Sequence, residues 1–234
     1  MKRIPFLLLV LVLVLAACSK APDGTASSTS SSSDLPTADL GTPDSAYVPV
    51  TQARQVWVMY DALSGDKPSD IMLGAIDPSL MGADAFQKRD KEAQLLPQLA
   101  AEMTAARDHR YIVWVDTSGR LAPYDFDHHA FGFASALMNP AAGVSHGQIA
   151  DVSMVDVAPT NAAAFQWLRV PDETQAKAIQ ARMSAGWIPR VKVWAYVQGG
   201  EKVRGITQTL WIQITKVQVL DPQGQVVLEQ KAGD

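Results

Sequence analysis

Cysteine is nearly absent. It occurs once in 234 residues, at position 18. A single thiol excludes a disulfide, and a thiolate metal site of the usual two to four cysteines is equally excluded. Basic charge is also scarce. Lys and Arg number 20 against 24 Asp and Glu, a net charge of −4. Without Lys2 and Arg3 the balance is −4 − 2 = −6. An acidic chain with no Lys/Arg cluster argues against nucleic acid, and against anionic lipid, as a partner. Of the short catalytic signatures H-E-x-x-H is missing, and no cofactor motif occurs; Gly143 to Gly147 fits G-x-S-x-G and Ser64 to Lys67 fits S-x-x-K as bare spacings only. No apolar run is long enough to span a bilayer, which needs about 20 residues. The longest, Phe6 to Leu15, has ten.

That run follows Met1-Lys2-Arg3, so a charged segment precedes a short apolar one, the order of a secretory leader. It ends in Leu15-Ala16-Ala17-Cys18. This tetrapeptide resembles the lipobox of bacterial lipoproteins. The resemblance implies a signal peptide over residues 1–17, alkylation of the Cys18 thiol by a lipid, cleavage before Cys18 and acylation of the new amine. Cys18 is then the lipid attachment residue, and the membrane is a partner through it. Ser19 stands where an aspartate would favour the inner membrane in enteric bacteria, so the resemblance implies the outer membrane with the domain in the periplasm. Residues 18–46, rich in Ser, Thr and Pro and including "STSSSSD", read as a disordered tether.

Residues 47–234 suit one domain of α+β class. N-terminal helices, one of them long and kinked, are expected to pack on an antiparallel sheet that ends in a three-stranded meander. Thr51 to Leu63 reads as a helix capped by Thr51 and stopped by Gly65. Asp84 to Arg107 reads as the long helix, with a stripe of Phe86, Leu96, Leu99, Met103 and Ala106, and a kink or break at Pro97. Tyr111 to Asp116 reads as a buried strand and Leu121 to Phe133 as a hairpin. Short strands are expected over 147–156 and 164–170, then a helix from Asp172 to Ser184. The meander strands are Arg190–Gln198, Ile206–Leu220 and Gln225–Gln230, with turns at Gly199-Gly200 and Asp221–Gly224.

Two constellations compete for function. In "YDFDHHAFGF", Asp125, Asp127, His128 and His129 are metal-ligand types, and a metal-dependent periplasmic hydrolase is the alternative reading. Adjacent histidines on a strand point to opposite faces, and the flanking aromatics suit a hairpin with a solvated tip. Ser145 beside His146 gives no nucleophile pair by the same reasoning. We therefore expect no metal and no catalytic residue. The meander offers the other site. Placing Trp194 opposite Trp211 makes one face wholly aliphatic. The other face then gathers Lys192, Trp194, Tyr196 and Trp211, a composition suited to recognition. The expected function is non-catalytic binding. The partner would be another envelope protein, a cell-wall polymer or an effector. A purely structural tether is a third reading. Phe86, Asp90, Pro97, Arg110-Tyr111, "YDF" at 124–126 and Phe131 resemble an envelope-protein domain family of unknown function over residues 83–230. That resemblance implies no activity.

Overall fold

The structure is a computed structural model that describes residues 35–116, 118–138, 149, 155–203 and 207–234. Among these are four α-helices and nine strands, in chain order β1 (Val48–Pro49), α1 (Ala53–Ser64), α2 (Asp70–Ile76), α3 (Ala85–Asp108), β2 (Tyr111–Asp116), β3 (Arg120–Asp125), β4 (Ala130–Ala134), β5 (Asp156–Pro159), β6 (Trp167–Arg169), α4 (Glu173–Ser184), β7 (Arg190–Val203), β8 (Thr207–Leu220) and β9 (Val226–Lys231). The class is α+β. The larger sheet runs β1-β2-β7-β8-β5, and β9 pairs with β8 beyond β5. β7, β8 and β9 form the expected antiparallel meander, while β1 and β5 add parallel neighbours at the two edges. β3, β4 and β6 form a second, three-stranded antiparallel sheet.

Period-two alternation decides what each strand of the larger sheet buries. Val191, Val193, Ala195 and Val197 join Leu210, Ile212 and Ile214 in the main core, with Val56 and Tyr60 of α1 and Phe131 and Leu168 of the smaller sheet. In β2, Ile112 and Trp114 enter this core, whereas Val113 joins Trp194 and Tyr47 in a small cluster of its own. A third cluster ties Val58 of α1 to Met72, Leu73, Leu80 and Leu99.

The helix ends follow local chemistry. Asp84 accepts hydrogen bonds from the backbone N–H groups of Phe86 and Gln87 at 2.9 Å, and so caps α3 as its sequence predicts. α3 then passes through Pro97 without a break. Pro97 and Ala93 are exposed, so the carbonyl that the proline ring leaves unbonded can turn to water. Only Leu99 of the expected α3 stripe is buried; Phe86 and Leu96 face outward. α1 starts one residue later than expected. Gln55 Oε1 accepts from the N–H groups of both Thr51 and Gln52, at 2.9 and 3.0 Å, with Gln52 at the cap. The strand expected over 147–156 lies largely outside the described residues. The one expected over 164–170 shrinks to β6, because Ala162–Phe165 form a 3₁₀ turn.

Two corrections matter for function. First, Gly199-Gly200 is no turn. β7 continues to Val203, and Gly199 and Gly200 pair with Trp211 and Leu210 across a bulge. Trp194 therefore lies opposite Lys216 rather than Trp211. The glycines serve close approach instead: a Cβ on Gly200 would sit 3.0 Å from the Tyr60 carbonyl oxygen and 3.2 Å from its ring. Gly200→Ala is expected to cost about 1–3 kcal/mol through overpacking, read as a lower denaturation midpoint; an unchanged midpoint would mean that α1 can retreat freely.

Second, the folded domain begins before Tyr47. Residues 35–46, assigned to the tether by composition, lie across the sheet as a strap. Gln198 Nε2 donates to the Pro36 carbonyl at 2.8 Å, and Ala38 N–H to Gln213 Oε1 at 2.7 Å. Asp39 N–H donates to the Tyr111 hydroxyl at 2.8 Å, and Lys216 Nζ meets both Asp44 oxygens at 2.5 and 2.6 Å. Ala38 and Tyr47 are buried, so scattered apolar positions within a polar stretch give the strap its grip. The tether expectation for 18–34 lies outside the described residues.

Candidate functional site

Burial settles the fate of the tryptophan face. Trp194 is 3% exposed. Its ring lies between two ammonium groups, Lys192 Nζ at 4.6 Å and Lys216 Nζ at 4.3 Å from the centroid. Such cation–π contacts strengthen when desolvated. Tyr47 packs edge-on against Tyr111, and Tyr111 tilted against Tyr196, with centroids 5.2 and 4.9 Å apart, and the Tyr47 hydroxyl bonds Thr215 Oγ1 at 2.9 Å. Burial is the main cause that raises the Tyr47 hydroxyl pKa above its ordinary value. Lys192, Tyr196 and Trp211 are half-buried, and the Trp211 indole N–H donates to Glu201 Oε1 at 2.8 Å. Of the four residues expected to form a recognition surface, Trp194 is thus interior, and Trp211 sits further along β8 with a partner of its own.

The hairpin tip has a compact internal logic. Asp125 Oδ1 accepts from the N–H groups of Asp127 and His128, each at 2.9 Å. These bonds, chiefly those from His128, hold the Asp125 carboxyl below the usual carboxylate range. His129 then takes a left-handed backbone with φ of 48°. The His128 ring lies 3.0 Å from Asp125 through Nδ1 and stacks on Trp167 at 3.9 Å, tilted by only 7°. Asp125 and His128 are thus brought together. Among the described residues, no group of three or more His, Cys, Asp or Glu side chains stands close enough to hold a metal ion. Ser145 and His146 lie outside the described residues.

Beside this tip is a feature that the sequence reading missed. β3 and α4 enclose a cleft of about 380 Å³. Pro123, Tyr124 and Phe126 form one wall and Ala176, Gln180 and Ala181 the other. Asp172 caps α4 through a 2.8 Å bond from Thr174 N–H. Gln180 fixes the spacing of the walls, because its Oε1 accepts the Tyr124 N–H at 3.0 Å. The Tyr124 hydroxyl is tied to the Val170 carbonyl at 3.0 Å. Tyr124 packs edge-on against both Phe126 and Phe131, at 5.1 and 5.2 Å. Phe131 is fully buried, whereas Phe126 is 69% exposed at the cleft mouth. Lys177 and Glu173 pair with each other at the rim, 3.5 Å apart, so the interior has no uncompensated charge of its own. A cleft of this size, apolar with a few polar groups, suits a small uncharged group. The signal in the sequence was the small residues Ala176, Ala181 and Ser184 on one side of α4, opposite an aromatic hairpin.

Residues 1–19 match the prokaryotic membrane lipoprotein lipid attachment site. The chain carries a bacterial lipoprotein leader. Cys18, the expected attachment residue within the match, lies outside the described residues. The match does not extend to residues 83–230, where the resemblance to an envelope domain lies. No curated protein and no solved structure matches the chain. Among the described residues no helix is long and apolar enough to cross a membrane. The lipoprotein is anchored through its lipid.

Proposed function

We propose that the lipoprotein presents a non-catalytic binding domain in the bacterial envelope, and that the cleft between β3 and α4 is its recognition site. The observation that carries this reading is Phe126, an exposed ring at the mouth of an apolar cleft whose walls are set by Gln180 and Tyr124. Exposed aromatics beside a desolvated pocket are the usual anchors of binding energy. The occupant this cleft suits is an uncharged apolar or aromatic group of an envelope partner. Ser19, following the lipidated cysteine, supports outer-membrane sorting with the domain in the periplasm.

A photo-crosslinking residue placed at 126 in the lipidated protein, in intact cells, is expected to give a discrete adduct. The same residue at Ile188, which is equally exposed at 68%, should not. Phe126→Ala should leave stability within about 0.5 kcal/mol and weaken the captured partner by about 2 kcal/mol, roughly 30-fold. Equal labelling at both positions, or unchanged affinity in Phe126→Ala, defeats the reading.

A further inference from the structure

Asp61 is the least expected residue in the interior. It lies on α1, 3% exposed, and its Oδ2 has no hydrogen-bond partner among the described residues. One helical turn earlier, the Trp57 indole N–H is also buried and also without a partner among the described residues. Residues four apart on a helix share a face, and both residues line one small pocket, with Tyr60, Ser69, Met72, Val155 and Gln208 around it. An unmade hydrogen bond on a buried donor costs about 1–3 kcal/mol, and on a charged group more. Two such groups facing one cavity mark a ligand.

The chemistry of the pair selects that ligand. An indole N–H only donates, and a carboxylate only accepts. A metal or ammonium ion cannot accept from Trp57. An anion would be repelled by Asp61. The occupant must accept from one group and donate to the other, and it must be very small: the space for its centre is about 10 Å³, close to the minimum for one water. The geometry points to a built site for a single internal water, bonded between Trp57 Nε1 and Asp61 Oδ2, whose hydrogen-bond pattern is set by the proton on the Asp61 carboxyl. With Asp61 ionised, the water accepts from Trp57 and donates to the carboxylate. With Asp61 protonated, it accepts from both, and its own protons turn to the side-chain oxygens of Ser69 and Gln208. Water serves both states because it is amphiprotic.

The surroundings make this proton exchangeable near neutrality. The charged and titratable groups facing Asp61 are Asp66, Lys202 and Tyr60; α2 contributes Ser69 and Met72 and β8 contributes Gln208, none of which titrates. Lys202 is committed to Asp66, 3.1 Å away, and the Tyr60 hydroxyl donates to the same Asp66 oxygen at 2.9 Å. Asp61 is left without a cation of its own. Burial first, and the Asp66 charge second, push its carboxyl up to about 6, against a partial opposing pull from Lys202. The folded value lies above the ordinary aspartate value of 3.8, so the folded protein holds the proton more tightly. That stabilisation is fully present below about 4 and is lost as pH rises through about 6.

Nuclear magnetic resonance on the mature lipoprotein in detergent tests this, with the Trp57 indole signal assigned by its loss in Trp57→Phe. The signal should show magnetisation transfer from a long-lived water. Its shift should titrate with one midpoint near 6. In Asp61→Asn the water transfer should persist, because the amide oxygen still accepts, while the titration disappears. The fall in denaturation midpoint between pH 4 and 6 should flatten in the same variant. A folded protein whose Trp57 indole shows no water transfer, or a titration that survives in Asp61→Asn, overturns the assignment. Should Asp61→Asn fail to fold, the transfer and titration in the unsubstituted protein decide alone, with a flat pH profile of the indole shift counting against it.

Discussion

Trp194→Ala is expected to destabilise the domain by about 3–5 kcal/mol, the range for removing a large buried aromatic. The ring is 3% exposed, in one cluster with Tyr47 and Val113. Its loss also strips the π face from Lys192 and Lys216. Lys216 is the more serious case, since its side chain is only 9% exposed and is left with Asp44 alone. Against a typical stability of about 5–15 kcal/mol, such a loss brings unfolding within reach of mild denaturant. Trp211→Ala should cost clearly less, because that ring is half-buried and forfeits one hydrogen bond, to Glu201. Denaturant melts of the two variants separate the cases. Equal losses would mean that Trp194 is not buried in solution.

Cys18→Ser should abolish lipidation outright. The expected readouts are no incorporation of labelled fatty acid and no cleavage between Ala17 and residue 18. The thiol is the reacting group, and a serine hydroxyl has far weaker nucleophilic character at neutral pH. No second cysteine exists to substitute for it. A chain given an ordinary secretory leader and starting at Ser19 should move from the membrane pellet to the soluble fraction. Each buried CH₂ of the anchor contributes about 0.8 kcal/mol to attachment, more than exposed surface contacts of the domain would supply. Fatty-acid labelling of the serine variant would show that another residue carries the lipid.

How much of this was legible depends on whether the deciding contact is local. Asp84 capping α3, Asp172 capping α4 and the Asp221–Gly224 turn, where Asp221 Oδ1 accepts from Gln223 and Gln225 at 3.0 and 2.8 Å, are set by neighbours in sequence. They stand where the residue types place them, as does the wholly apolar face of β7 and β8. Gly199-Gly200 misleads because a glycine pair reads the same whether it turns the chain or admits a helix against a strand. Only Tyr60, some 140 positions earlier in the chain, distinguishes the two. Moving that turn shifted the pairing of Trp194 with everything opposite it. The strap was hidden for a related reason: its composition is that of a linker, and its partners Gln198, Gln213 and Lys216 lie more than 160 residues away. The cleft needed both α4 and the hairpin in place, and no motif within either announces it.

The strap also decides where mechanical load enters. Among the described residues, a pull from the N-terminal side meets Leu35, close to Gly199 of β7, before it meets β1. It is borne first by four separate fastenings, at Pro36, Ala38, Asp39 and Asp44. Drawn from one end, these are loaded one after another, as in peeling, while the ladders of the sheet stay unstressed. Once free, residues 35–46 pay out about 40 Å of extended chain. The strap is therefore a reserve of slack ahead of the sheet, and its release parts Lys216 from Asp44.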